Sequence, residues 1–178
     1  MRSNSIPSSL KRKFRNRLSP YWRNVYDVGL YTGWRISDIL SLTHRNCLPY
    51  NWVHIMQMKT GVDSWRRIPK SLKQRIGNYC GPRPDGYLFP SPRNWNAPVS
   101  RQAAHRAFKK AADLLELERV SPHSMRKTYA QEKHRAGASL KELQEALQHD
   151  RVETTLLYLI NNYDELINEA LRRSKEAG

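Results

Sequence analysis

Four side chains in the last third of the chain fall at spacings that suit chemistry on a phosphate. Ser121-Pro122-His123-Ser124-Met125-Arg126 sets an imidazole three residues before a guanidinium; His149 follows, and Tyr158 lies nine residues beyond it. A helix opened by Ser121 and Pro122 would carry His123 and Arg126 on one face of its first turns. There, free backbone N–H groups and the positive end of the helix dipole favour an anion. A histidine–arginine pair, a further histidine and a tyrosine are the groups that phosphoryl transfer through a covalent phosphotyrosine requires. Each alone has a plainer explanation, since most histidines are satisfied structural residues and a tyrosine in an apolar run is most often a helix aromatic.

These groups need a scaffold, and the pattern supplies one. Ser139 and Glu142 form a capping box for a helix whose core face is Leu140, Leu143 and Leu147 and which ends at Gln148-His149. The apolar run at 152–159 then holds Tyr158. Upstream, Ser19-Pro20 opens a helix with Tyr21, Val25 and Val28 on one face, and Gly33 ends it. In the following Trp34-Arg35-Ile36-Ser37-Asp38-Ile39-Leu40, the apolar residues pack and Arg35 sits at a junction between helices. Asp38, three residues on, is expected to pair with Arg35 and fix its guanidinium fork, although such a pair is also an ordinary surface feature. Residues 52–58 and 64–68 read as a β-hairpin with Lys59 at its tip, where the side chain is either simply solvated or reaches into a groove of a duplex. Residues 69–80 read as a helix through Leu72, Ile76 and Tyr79, and 81–98 as a loop-rich crossing around Tyr87-Leu88-Phe89. Ser100 caps a helix with Ala104, Ala107, Phe108, Ala111 and Leu115 inward and Arg101, His105, Arg106, Lys109 and Lys110 around them.

Composition narrows the partner. The 178 residues carry 31 Lys and Arg against 16 Asp and Glu, a net charge of +15, which points to a polyanion, and nucleic acid leads. The two cysteines, Cys47 and Cys80, match no zinc spacing and make no disulfide framework, so a reducing cytoplasm is expected, in association with the nucleoid. No apolar run approaches the roughly 18–20 residues of a membrane span, and the N-terminus lacks the stretch of a secretory signal. There is no Gly-x-x-x-x-Gly-Lys-Ser/Thr loop, hence no nucleotide cofactor is expected, and no carboxylate cluster suggests a metal. Residues 1–18 read as a basic arm or linker, with Lys11, Arg12, Lys13, Arg15 and Arg17 either disordered or tied onto DNA phosphates. Residues 19–178 read as one domain, ending in a tail at 164–178 whose Leu166, Ile167, Ala170 and Leu171 share one side of a helix.

The motifs resemble, in order, those of the catalytic domain of the tyrosine recombinase (phage integrase) family. They are Thr32-Gly33-Trp34-Arg35-Ile36-Ser37-Asp38-Ile39-Leu40, Lys59-Thr60-Gly61, His123-Ser124-Met125-Arg126-Lys127-Thr128-Tyr129-Ala130, Leu147-Gln148-His149 and Thr154-Thr155-Leu156-Leu157-Tyr158. Trp34 stands where the family usually has a smaller aliphatic residue, and Gln148 where it usually has glycine. The resemblance implies the DNA breaking-rejoining fold, mainly α with a small antiparallel β-sheet (α+β). It implies site-specific recombination or integration of double-stranded DNA, as in mobile elements, without ATP or metal. Arg35 and Arg126 would hold the scissile phosphate, Tyr158 would attack it to form a 3′-phosphotyrosine, Lys59 would protonate the leaving 5′-oxygen, and His123 and His149 would manage protons. It further implies self-association on DNA as a dimer or tetramer, with the tail docking onto a neighbouring protomer or folding back on its own domain. The family commonly carries a separate helical DNA-binding domain before the catalytic one. The stretch before Ser19 is too short for it, which suggests either a minimal recombinase, as the small fimbrial-switch invertases resemble, or a catalytic domain alone. Rival readings are a type IB topoisomerase-like enzyme that reseals the same strand, a metal-independent ribonuclease using His123, His149 and Lys59, and a non-catalytic DNA-binding protein.

Overall fold

The structure, a computed structural model, describes residues 3–47, 49–80 and 86–159. The chain forms two compact units, one up to Tyr129 and one from Ala130 onward, with the division inside a single helix.

In the first unit the elements run α1 (Lys11–Arg17), α2 (Pro20–Thr32), α3 (Ile36–Leu40), the hairpin β1 (Trp52–Met56) and β2 (Asp63–Arg67), α4 (Lys70–Cys80), a second hairpin β3 (Pro90–Ser91) and β4 (Asn94–Pro98), α5 (Arg101–Asp113) and the start of α6 (His123–Arg135). This is the expected mixture, mostly helical with small antiparallel pairs. α2 begins where Ser19-Pro20 indicated and stops at Gly33, whose φ of 67° is left-handed. A side chain there would also collide with the Tyr129 ring, an ideal Cβ lying 2.5 Å from the nearest ring atom, so glycine is required twice over. β1 and β2 pair antiparallel with Trp52 opposite Arg67 and Met56 opposite Asp63, the hairpin expected from the sequence. Ser100 caps α5 by accepting the Ala103 N–H at 3.2 Å.

Two expectations are corrected. Of the expected arm at 1–18, the described residues 3–18 are not outside the core: Lys11–Arg17 is helical, and Ile6, Phe14 and Leu18 are buried in the main apolar cluster. Phe14, wholly inaccessible, meets Phe108 edge-on at 5.6 Å and Tyr26 at 5.4 Å. Basic neighbours at almost every other position hid this single apolar stripe. Of the five cations, Arg15 is committed internally, forking onto both carboxylate oxygens of Asp27, which also takes Arg75 at 2.5 Å. The described part of the crossing, 86–98, is also more regular than a loop. Pro90 pairs with Pro98 and Ser91 with Asn94, with an irregularity between them, and Thr43 bridges Tyr87. Prolines at the strand ends masked that ribbon.

In the second unit, α6 finishes and Gly137 follows with φ 96°. α7 (Leu140–Leu147) carries the predicted capping box: Ser139 Oγ accepts the Glu142 N–H at 3.2 Å and Glu142 Oε2 accepts the Ser139 N–H at 2.7 Å. The Ser139 backbone N–H, and after it the Ser139 hydroxyl donating to the same oxygen at 2.8 Å, hold the Glu142 carboxyl below the usual range. α7 packs against α8 (Val152–Leu159). The tail at 164–178 lies outside the described residues.

Candidate active site

In the first unit the segment carrying Arg35 is laced to the β1–β2 hairpin. Trp34, fully buried, donates from Nε1 to Ser64 Oγ at 2.8 Å, which accounts for a large residue at this position: the indole fills the space beside β2 and bonds to it. Arg35 donates from Nη1 to Gln57 Oε1 at 2.7 Å. Arg66 on β2 donates back to the Thr32 carbonyl at 3.2 Å.

The expected Arg35–Asp38 ion pair is not formed. Arg35 is the N-cap of α3, with extended backbone (φ −67°, ψ 149°), so its side chain leaves the helix before the three-residue face on which such pairs meet. Asp38 is buried instead with Oδ1 accepting the backbone N–H of Met58 at 3.0 Å. That bond anchors the residue next to Lys59. The Lys59 turn is closed by Gln57 N–H to Val62 O at 3.0 Å and Gly61 N–H to Gln57 O at 2.8 Å, with Gly61 left-handed at φ 66°. Lys59 is exposed on it.

α6 opens as the sequence indicated. Ser121 Oγ accepts the His123 N–H at 3.2 Å and Ser124 Oγ accepts the Ser121 N–H at 3.0 Å. Arg126 is 1% exposed, and its Nη1 donates to the Gly33 carbonyl at 2.8 Å. That carbonyl lies two residues before Arg35, so the backbone bend at Gly33 connects the two arginines. His123 is depressed to about pKa 4, first by desolvation and then by Arg126, Lys127 and Arg35. The residue also presents surface to solvent, which works against the desolvation. Burial and the neighbouring cations both favour the neutral imidazole, the form that can accept a proton and become a cation on doing so. The structure therefore gathers Arg35, His123 and Arg126, and ties in the Lys59 turn through Gln57 and Asp38.

The second unit holds the other two groups. α7 ends at Gln148 in the left-handed region (φ 49°, ψ 56°), where glycine is the comfortable residue, and this bend delivers His149. His149 Nδ1 is hydrogen-bonded to Thr155 Oγ1 at 3.0 Å, which fixes the ring. Tyr158 packs edge to face on that ring, centroids 4.5 Å apart, and is 8% exposed. Gln131 Nε2 donates to the Tyr158 carbonyl at 3.3 Å. Reasoning from the sequence missed Gln57, Thr155 and Gln131. For Gln57 and Thr155 the available signal was a polar residue inside a predicted strand or apolar run, which needs a partner when buried; Gln131, in a polar helix, gave none.

Among the described residues no group of three or more His, Cys, Asp or Glu converges to hold a metal ion, and no helix is long and apolar enough to cross a membrane. An open depression of about 430 Å³ lies along α5, lined by Arg106, Lys109, Lys110, Asp113 and Leu114; it contains none of the groups above.

The family model described as the phage integrase family matches residues 4–165. The chain is 32% identical over 136 residues to the probable integrase/recombinase YoeC of Bacillus subtilis (strain 168), covering 76% of this chain and 75% of that protein. It spans 42% and 52% of two other curated recombinase relatives. The solved structure of XerA recombinase superposes with a TM-score of 0.75 at 18% identity, over 97% of this chain and 64% of that one. A lambda integrase(75-356) dimer bound to a COC' core site gives 0.69 at 20% identity, over 92% and 62%. At those identities the likeness to the solved structures is one of fold, and the fold is that of a recombinase catalytic domain. With the family match spanning all six candidate groups, the chain belongs to the phage integrase, or tyrosine recombinase, family.

Proposed function

We propose that the chain catalyses site-specific DNA recombination through a 3′-phosphotyrosine. The observation that carries this reading is the pairing of Tyr158 with a histidine fixed by Thr155, in a chain that keeps both arginines, the lysine and His123. Tyr158 Oη attacks the phosphorus and gives up its proton. The bond to the 5′-oxygen breaks, and Lys59 Nζ protonates that oxygen as it leaves. Arg35 and Arg126 neutralise the nonbridging oxygens, worth most when they are held in place beforehand, as their bonds to Gln57 and the Gly33 carbonyl hold them. His123 and His149 accept and return protons. A 5′-hydroxyl of a second strand then attacks the phosphotyrosine and restores a phosphodiester, so one ester replaces another with no net energy input.

The partner in this reading is double-stranded DNA, supported by the net charge of +15. The protein acts in the nucleoid as a dimer or tetramer assembled on DNA. The apolar face at 166, 167, 170 and 171 is proposed to dock on a neighbouring protomer. Removing residues 164–178 should then spare cleavage but suppress exchange between two sites.

The deciding experiment incubates the full chain with nicked duplex DNA and looks for a denaturation-resistant adduct. An adduct mapped to Tyr158 supports the reading. No adduct, or one on Tyr129 or Tyr163, overturns it.

A further inference from the structure

We propose that Gln57 is a positioning residue that sets Arg35 against Lys59, an inference that rests on the recombinase reading. Gln57 follows β1 and is inaccessible to solvent. Its backbone closes the Lys59 turn on both sides, donating to Val62 and accepting from Gly61. Its side chain does something different, reaching Arg35 through Oε1 at 2.7 Å. One residue thus holds the lysine turn by its main chain and the arginine by its amide.

The guanidinium dictates which way the amide faces. Flipped, the NH₂ group would meet an N–H of Arg35 donor to donor. The observed orientation leaves Nε2 buried with no hydrogen-bond partner among the described residues. A buried orphan donor lowers stability, and methionine would fill a similar volume without it. Folding alone therefore does not call for glutamine here. Its benefit lies with Arg35, in the pattern of a group that trades stability for function. Asp38 complements it by holding the N–H of Met58, the residue between Gln57 and Lys59, so that the arginine and the lysine turn are carried as one piece. In this mechanism, Arg35 and Lys59 act on opposite ends of the same breaking bond, and a fixed spacing between them is what the reaction needs.

The test uses the full chain with Gln57→Met and Gln57→Glu, the second keeping an acceptor for Arg35. Melting temperature, duplex affinity, single-turnover adduct formation on nicked DNA and the NMR resonance of the Arg35 Nε–H group are measured. Gln57→Met is expected to melt no lower than the parent, to bind duplex within about threefold and to form adduct about 10²-fold more slowly, the scale of a ~1 Å misplacement. Its Arg35 resonance should move. Gln57→Glu should recover about tenfold of the lost rate, because the acceptor is restored. Adduct formation by Gln57→Met at the parent rate, a folded Gln57→Glu no better than Gln57→Met, or a Gln57→Met chain that does not fold would each overturn the proposal. If the parent forms no adduct, the recombinase reading fails separately. The Arg35 resonance still decides the positioning role, which an unmoved signal in Gln57→Met refutes.

Discussion

The rings of His149 and Tyr158 meet edge to face, with centroids 4.5 Å apart and planes at 68°. The contact uses the carbon framework of the tyrosine, while its hydroxyl is the atom proposed to react. Tyr158→Phe should therefore keep the packing, with a melting temperature within about 2 °C of the parent, since only one hydroxyl is lost. Duplex affinity should be nearly unchanged and adduct formation abolished. Residual adduct in Tyr158→Phe would move the nucleophile elsewhere.

Gln148 occupies a left-handed conformation at the end of α7, which for a residue with a Cβ costs about 1–2 kcal/mol. Glycine at this C-cap relieves most of that, less its greater freedom in the unfolded chain. Gln148→Gly should stabilise the chain by about 1 kcal/mol, read as a higher urea midpoint at constant slope. Because His149 follows directly, the adduct rate of the same variant reports whether the looser bend still delivers the imidazole. A lowered midpoint would mean that the glutamine side chain contributes more than the strain removes.

The site was far more legible in the sequence than its supports. Arg35, Lys59, His123, Arg126, His149 and Tyr158 could be named as candidates because the ordered motifs that carry them resemble one family's, and the helix starts at Ser19, Ser100 and Ser139 because caps are local. What failed depends on contacts distant in the chain. Gln57 meets Arg35 across 22 residues. Asp38 binds Met58 across 20, where local helix spacing suggested a partner three residues away. Phe14 reaches the core alone among lysines and arginines, too sparse a pattern for periodicity to register.

His123 gives a pH signature of defined sense. The unfolded chain protonates it near the ordinary histidine value of about 6.5, whereas the folded chain resists protonation down to about 4. Between those values the unfolded state binds more protons, so stability falls as pH drops through this window and is retained above it. Replacing His123 with Gln should flatten that part of the melting-temperature profile. An NMR titration of the parent should place the His123 midpoint well below those of exposed histidines, and a midpoint near 6.5 would refute the cationic, partly desolvated setting.

The N-terminal helix separates two kinds of basic residue that look alike in the sequence. Arg12, Lys13 and Arg17 are exposed, whereas Arg15 is locked onto Asp27 and Phe14 is in the core. Deleting residues 1–17 would therefore report on folding as much as on DNA, and point substitutions are needed. Phe14→Ala should cost about 3–5 kcal/mol of stability through the cavity it leaves. Arg15→Ala, which leaves Asp27 with Arg75 alone, should destabilise the chain more than Arg12→Ala does. The triple change of Arg12, Lys13 and Arg17 to Ala should leave melting nearly untouched while reducing the steepness of duplex binding against log salt. The reduction is about 0.9 for each of the three that neutralises a phosphate. If the slope is unchanged in the triple variant, α1 serves the core only, and the DNA surface must be sought on other basic elements such as α5.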